Sequence, residues 1–182
     1  METDTVIWGE DRPLKAFERY PPDMKALHNG FQTNPCFVCG IVENLPDAAT
    51  QTVYEDDMYI AFLDGYPRQH GYTLVCPKRH LEQVSADFDL AEYLSLQELV
   101  YHVCEAVREK VDAERMYVFT FGSNQGNSHV HWHVAPLPKG TPYDEQQGAA
   151  VGWQAGVLKV PEEEMAALAA RLRQRVEALV YG

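Results

Sequence analysis

The run His129-Val130-His131-Trp132-His133-Val134 decides how this chain is read. In an extended strand, residues two apart share a face and each residue rises about 3.3 Å, so successive histidines stand roughly 6.6 Å apart on one side. On a helix, His129 and His131 would point in nearly opposite directions. A strand from His129 to Ala135 therefore gathers three titratable rings on one face and gives Val130, Trp132 and Val134 to a buried one. A solvent-facing histidine stripe is the bland alternative, and it leaves three aligned imidazoles without a purpose. Chemistry accounts for them better.

Working outward, three short β patterns precede the run: Thr52 to Glu55, Tyr59 to Asp64, and Gly71 to Cys76, the last ended by Pro77. Their short connections predict an antiparallel meander. Met116 to Phe121 is a further strand, leading into the polar loop Gly122-Ser123-Asn124-Gln125-Gly126-Asn127-Ser128. Between these, from Asp87 to Val111, Leu90, Leu94, Leu96, Leu99, Val100, Val103, Cys104 and Val107 recur at helical spacing. A final helix is predicted from Pro161 to Val180, with Glu162, Glu163 and Glu164 at its positive end and Met165, Leu168, Leu172, Val176 and Leu179 as its buried stripe. Residues 136–156, rich in Gly, Pro and Gln, read as a long loop. Pro35-Cys36-Phe37-Val38-Cys39-Gly40 reads as a tight turn followed by a loop. The expected class is α+β: an antiparallel sheet of about five strands, one long helix packed on it, and a C-terminal helix. Residues 1–34 form an N-terminal extension with one short amphipathic helix, 35–138 the core domain, and 139–182 a C-terminal loop and helix packing on the core.

Composition narrows the partners. At 182 residues the chain suits one domain, and its 46% hydrophobic share suits a globular core. The 27 acidic against 15 basic residues give a formal net charge of −12, which repels a phosphate backbone, so no polymeric nucleic acid is expected. Small phosphorylated ligands remain compatible, because backbone N–H groups and a few histidines override the global field locally. The acidic start and the lack of a long apolar run predict a cytoplasmic protein with no membrane partner. Cys76 and Cys104 lie in apolar runs as core residues, whereas Cys36 and Cys39 form a C-x-x-C pair.

The run H-V-H-W-H-V-A resembles the signature of the histidine-triad (HIT) family, His-φ-His-φ-His-φ-φ with φ apolar, at every position. Phe62-Leu63-Asp64 and Thr73-Leu74-Val75-Cys76-Pro77-Lys78-Arg79-His80 are similar to that family's nucleoside-binding strand and Pro-Lys-x-His turn. The resemblance implies a HIT-like fold and a hydrolase acting on the α-phosphate of a nucleotide, expected to be a purine, through a covalent nucleotidyl-histidine intermediate. It makes His131 the nucleophile, His133 a contact to the phosphate oxygens, Asp64 the acceptor of ribose hydroxyls and Phe62 a wall of the nucleotide pocket. Asn124, Gln125 and Ser128 fall in the loop that supplies phosphate contacts, although this loop departs from the family's usual Gly-Gln-x-Val. The order Gln69-His70-Gly71-Tyr72 also departs from the common Gly-His, so His70 inherits no role. A homodimer is implied as well.

Imidazole suits the chemistry. Its reference pKa near 6.5 leaves much of it unprotonated and nucleophilic at neutral pH, and covalent catalysis splits one hard substitution into two easier ones. Cys36 and Cys39 offer two thiolates, the commonest half of a structural zinc site. The resemblance supplies His80 and His129 as the other half, closing a four-ligand sphere with no place for water. A redox pair is disfavoured because that class opens a helix and a loop is expected here. A catalytic metal held by all three histidines fails on reach, since the strand spans about 13 Å while zinc–nitrogen bonds are near 2 Å. A nucleotidyltransferase or phosphorylase of the same family, or a nucleotide-binding regulator without turnover, are the alternatives. His133, where the transferase branch carries Gln, speaks for the hydrolase.

Overall fold

Why the sheet has two dry faces is visible in its central strands, which are buried at every position. In this computed structural model, which describes residues 17–33, 35–48, 50–123 and 128–182, β2 (Thr52–Glu55), β3 (Tyr59–Leu63), β4 (Thr73–Pro77), β5 (Arg115–Phe119) and β6 (Trp132–Leu137) form one sheet of order β2-β3-β4-β6-β5. Every pairing in it is antiparallel. The expected α+β class and five-stranded antiparallel sheet are what the chain forms. β3 reads Tyr-Ile-Ala-Phe-Leu and β4 Thr-Leu-Val-Cys-Pro, near-continuous apolar runs of the kind that need cover on both sides.

One face packs on two helices. α3 (Leu90–Lys110) opens at Asp89, whose carboxylate accepts from the Glu92 N–H, and buries Leu96, Leu99, Val100, Val103, Ala106 and Val107. α5 (Glu162–Tyr181) adds Leu168, Ala169, Leu172 and Val176 to the same core, which also holds Val75, Val130, Trp132 and Val134. Leu90 and Leu94, expected on the buried stripe, are instead 73% and 57% exposed: with Tyr101 they lie on the side of α3 turned away from the sheet, while Tyr93 between them packs on Trp132. The other face is covered by α2 (Phe37–Val42) and α4 (Gln146–Val151), which join Ile60, Phe62, Leu74 and Ala135 through Val38 and Ala150.

Three expectations are corrected here. The Cys36-x-x-Cys39 segment is no turn-and-loop: Cys36 caps α2, its sulfur accepting from the Cys39 N–H at 3.4 Å. Residues 136–156 are not one loop, since β6 runs to Leu137 and α4 follows. The histidine strand starts at Trp132 rather than His129. The register that pairs Val75 with Trp132 would set Pro77 against Val130, and a proline has no N–H to donate. The backbone ahead of β6 is satisfied elsewhere, with the Val130 N–H donating to Leu81 O at 2.8 Å and Thr120 Oγ1 donating to His131 O at 2.7 Å. Alternation survives nonetheless, because Val130, Trp132 and Val134 all enter the core under α3.

The extension carries its short helix, α1 (Met24–Thr33), and also β1 (Arg19–Tyr20), which pairs antiparallel with β7 (Val157–Leu158). Gly156, ahead of β7, has φ +76°, and a Cβ there would lie 2.6 Å from Tyr20 O, so only glycine lets the two ends meet. No helix among the described residues is long and apolar enough to cross a membrane.

Candidate active site and metal cluster

His131 and His133 stand together at the start of β6, ring centroids 4.8 Å apart. His131 Nδ1 lies 2.8 Å from the carbonyl oxygen of His129. A carbonyl only accepts, so Nδ1 carries the proton and Nε2 keeps the lone pair. Burial lowers the His131 pKa from 6.5, opposed by that hydrogen bond and by the nearby Asp64 carboxylate. The ring is thus neutral at neutral pH with one nitrogen free to attack. Phe37, from the first turn of α2, meets His131 edge-on at 5.8 Å.

His133 is 8% exposed, and burial together with the neighbouring His131 pushes its pKa far below 6.5. Its ring stacks on Phe119 at 4.8 Å and 16°, and its Nδ1 lies 3.2 Å from the Tyr72 hydroxyl. Burial raises the Tyr72 pKa, so the phenol keeps its proton and can donate to Nδ1. With the phenol donating, the His133 proton sits on Nε2, as a donor.

Asp64 closes β3. Its Oδ1 accepts from the Tyr66 N–H at 3.0 Å and its Oδ2 lies 3.5 Å from Arg68 Nη2. Burial raises the carboxyl pKa, while Arg68, the Tyr66 N–H and His131 oppose that shift. Phe62 is 2% exposed and meets Phe37 edge-on at 6.4 Å, the ring that in turn meets His131. Ser128 is half-buried directly ahead of His129, and Asn124 and Gln125 lie outside the described residues.

The other expected set also converges. One nitrogen or sulfur from each of Cys36, Cys39, His80 and His129 falls within 4.8 Å of all the others. His129 Nδ1 is 3.4 Å from Cys36 Sγ and 3.7 Å from Cys39 Sγ, and His80 Nδ1 is 3.2 Å from Cys39 Sγ. Bond lengths near 2.3 Å to sulfur and 2.0–2.1 Å to nitrogen place tetrahedral S and N donors about 3.5 Å apart, which these separations match. His129 Nε2 lies 2.8 Å from Pro77 O, fixing its proton there and leaving Nδ1 for an ion. The cluster can hold a metal ion. Because the C-x-x-C pair does open a helix, helix position no longer argues against a redox role. The surroundings of the two sulfurs do argue against it: His80 and His129 each bring a ring nitrogen to them, at 3.2–3.7 Å, so the pair is part of a four-residue donor cluster.

Sequence reasoning gave no role to Phe37, Tyr72 and Phe119, which meet His131 or His133, or to Arg68; Trp153, in the 136–156 segment read as a loop, reaches Arg68. The only signal for Arg68 was a cation four residues after Asp64.

The fold is that of the histidine-triad proteins. Residues 46–140 match the HIT domain family, and the chain belongs to that family. It is similar to the adenosine 5'-monophosphoramidase hnt1 of Schizosaccharomyces pombe, with 27% identity over 147 residues, covering 78% of this chain and 98% of that protein. A hypothetical histidine triad nucleotide-binding protein from Sulfolobus tokodaii matches in structure with TM-score 0.62 and 25% identity, covering 79% of this chain and 93% of the other. A zinc-bound histidine triad family protein from Mycobacterium smegmatis shares the fold at TM-score 0.60 and 23% identity, with 80% and 95% covered.

Proposed function

We propose that the chain is a nucleotide hydrolase in which His131 Nε2 attacks the α-phosphorus of a nucleoside phosphoramidate or dinucleoside polyphosphate. The observation that carries this reading is the hydrogen bond from His131 Nδ1–H to the His129 carbonyl, which leaves Nε2 as a fixed, unprotonated nucleophile. An N–P bond forms as the bond from phosphorus to the amine or polyphosphate leaving group breaks; an amine leaves with a proton taken up from solvent, which the attacking water returns in the second step. Water then attacks the same phosphorus, releasing the nucleoside monophosphate and restoring the free imidazole.

His133 Nε2–H, Ser128 and the loop with Asn124 and Gln125 stabilise the charge on the phosphoryl oxygens. Asp64 receives the ribose hydroxyls, and Phe37, supported from behind by Phe62, lines the approach to His131. Cys36, Cys39, His80 and His129 hold a structural zinc, the metal named for the Mycobacterium smegmatis relative. With four protein ligands the ion has no open position, so its contribution is to hold α2 and the turn after β4 against the histidine segment. Leu90, Leu94 and Tyr101, exposed along α3, suit a homodimer contact, which sedimentation of the wild type against Leu94→Asp tests.

The experiment is incubation of the purified protein with adenosine 5'-phosphoramidate and with diadenosine tetraphosphate. Release of AMP is expected, with a nucleotidyl adduct on His131 in trapped samples. His131→Ala is expected to lose turnover while still binding AMP. Undiminished turnover in that variant refutes the assignment, and binding without any turnover in the wild type favours a regulatory protein.

A further inference from the structure

The loop that carries Asp64 from β3 back to β4 is held from outside the sheet. The Leu158 N–H donates to Pro67 O at 2.8 Å. Arg19 Nη2 donates to Gln69 Oε1 at 3.2 Å, and Arg19 Nη1 to Gly156 O at 3.2 Å. Arg19 and Leu158 sit on β1 and β7, and both lie outside the 46–140 stretch matched to the family.

Within that loop Arg68 is 4% exposed. Burying a guanidinium is costly unless its charge is compensated. Its pair with Asp64, at 3.5 Å, is well beyond the 2.7–2.9 Å of a good charge-assisted bond, and its Nε has no partner among the described residues. Two aromatic faces make up the rest: the guanidinium carbon lies 4.1 Å from the ring centre of Tyr72 and 4.8 Å from that of Trp153. Trp153 follows α4 in the segment leading to β7, so the C-terminal part of the chain reaches the side chain paired with Asp64.

From this geometry we infer that Arg68, held against Tyr72 and Trp153, is a positioning residue that aims the Asp64 carboxylate at the ribose hydroxyls of a bound nucleotide, so that Trp153 sets nucleotide selectivity without touching the nucleotide. The inference rests on the ribose role proposed for Asp64. Each carboxylate oxygen has two lone pairs and uses one within the protein, on Tyr66 N–H or Arg68, which leaves one on each for a hydroxyl. Arg68 also favours the ionised carboxylate against the desolvation that disfavours it.

The test is calorimetric titration of the full chain with AMP and with 2',3'-dideoxyadenosine monophosphate, which needs no turnover. Wild type should bind AMP about ten- to a hundredfold more tightly, the range for hydrogen bonds to a charged group. Asp64→Asn and Arg68→Gln should bring that ratio close to one. Trp153→Ala should reduce it at least threefold, and Trp153→Phe, which keeps a ring, should restore it. The dideoxy ligand should bind all five proteins alike, a result that general loosening of the fold would not give. If Asp64→Asn keeps the wild-type ratio, the ribose contact itself is wrong. If Asp64→Asn loses it while Arg68→Gln or Trp153→Ala keeps it, Asp64 stands and the positioning role is overturned.

Discussion

Replacing His70 with Phe should make the protein markedly less sensitive to acid. His70 stacks on Phe17 at 5.3 Å, and both of its ring nitrogens are buried without a hydrogen-bond partner among the described residues. Burial, with Arg171 adding to it and Glu164 opposing, lowers its pKa from 6.5 to about 4. Between those two values the unfolded chain binds a proton that the folded chain refuses, so stability is lost as pH falls through that window. At about pH 5 the loss from this one group is about 2 kcal/mol, against a few tenths at about pH 7. Phe keeps the stacking on Phe17 and takes up no proton. Urea unfolding of wild type and His70→Phe, followed by far-UV circular dichroism at about pH 7 and about pH 5, measures the difference directly. The variant's advantage should grow by about 2 kcal/mol on acidification. Parallel losses in the two proteins would show that His70 is not buried in its neutral form, and the reasoning fails.

Turnover should have an acid limb below the ordinary imidazole range, because burial lowers the His131 pKa and keeps Nε2 free at neutral pH; a kcat/KM profile falling already at about pH 7 contradicts this. Gly71→Ala should cost about 1–3 kcal/mol in thermal unfolding, since Gly71 has φ +84° and a Cβ there would lie 2.8 Å from Val111 Cγ1; an unchanged melting temperature refutes it. Removing metal with a chelator should lower the melting temperature on the order of 10 °C. Cys36→Ser should give a protein with reduced zinc content, and a chelator without effect on wild type counts against the four-ligand centre.

Much of the fold was legible because its signals are periodic. The alternation through residues 129–135 set the histidines and the core valines on opposite sides although the ladder itself covers only part of that run. β2 was read to the residue because Thr-Val-Tyr-Glu is bounded by turns. Elsewhere the deciding contact lies far away in sequence. Nothing near Cys36 announces a helix, and α2 forms because Val38 is buried under Ile60 and Phe62 from another element. α4 is similar, six residues held by Ala150. In the site, His131, His133 and the four-residue cluster came from short motifs that constrain side-chain type. Arg68 with Trp153, and Tyr72 with His133, come from tertiary packing between segments that local patterns treat separately.

The acceptor that orients His131 is a main-chain oxygen, and that has a consequence for how this centre tolerates change. No substitution at position 129 deletes a carbonyl. The aim of the His131 ring is therefore written into the path of the polypeptide between Ser128 and Val130, not into the chemical identity of the residue there. An ion held by the His129 imidazole would be one means of pinning that path, and the carbonyls of Pro77, at the end of β4, and Leu81, in the segment after it, supply two more. Exchange of Cys36, Cys39, His80 or His129 should then leave the His131 tautomer in place for as long as the trace itself is kept.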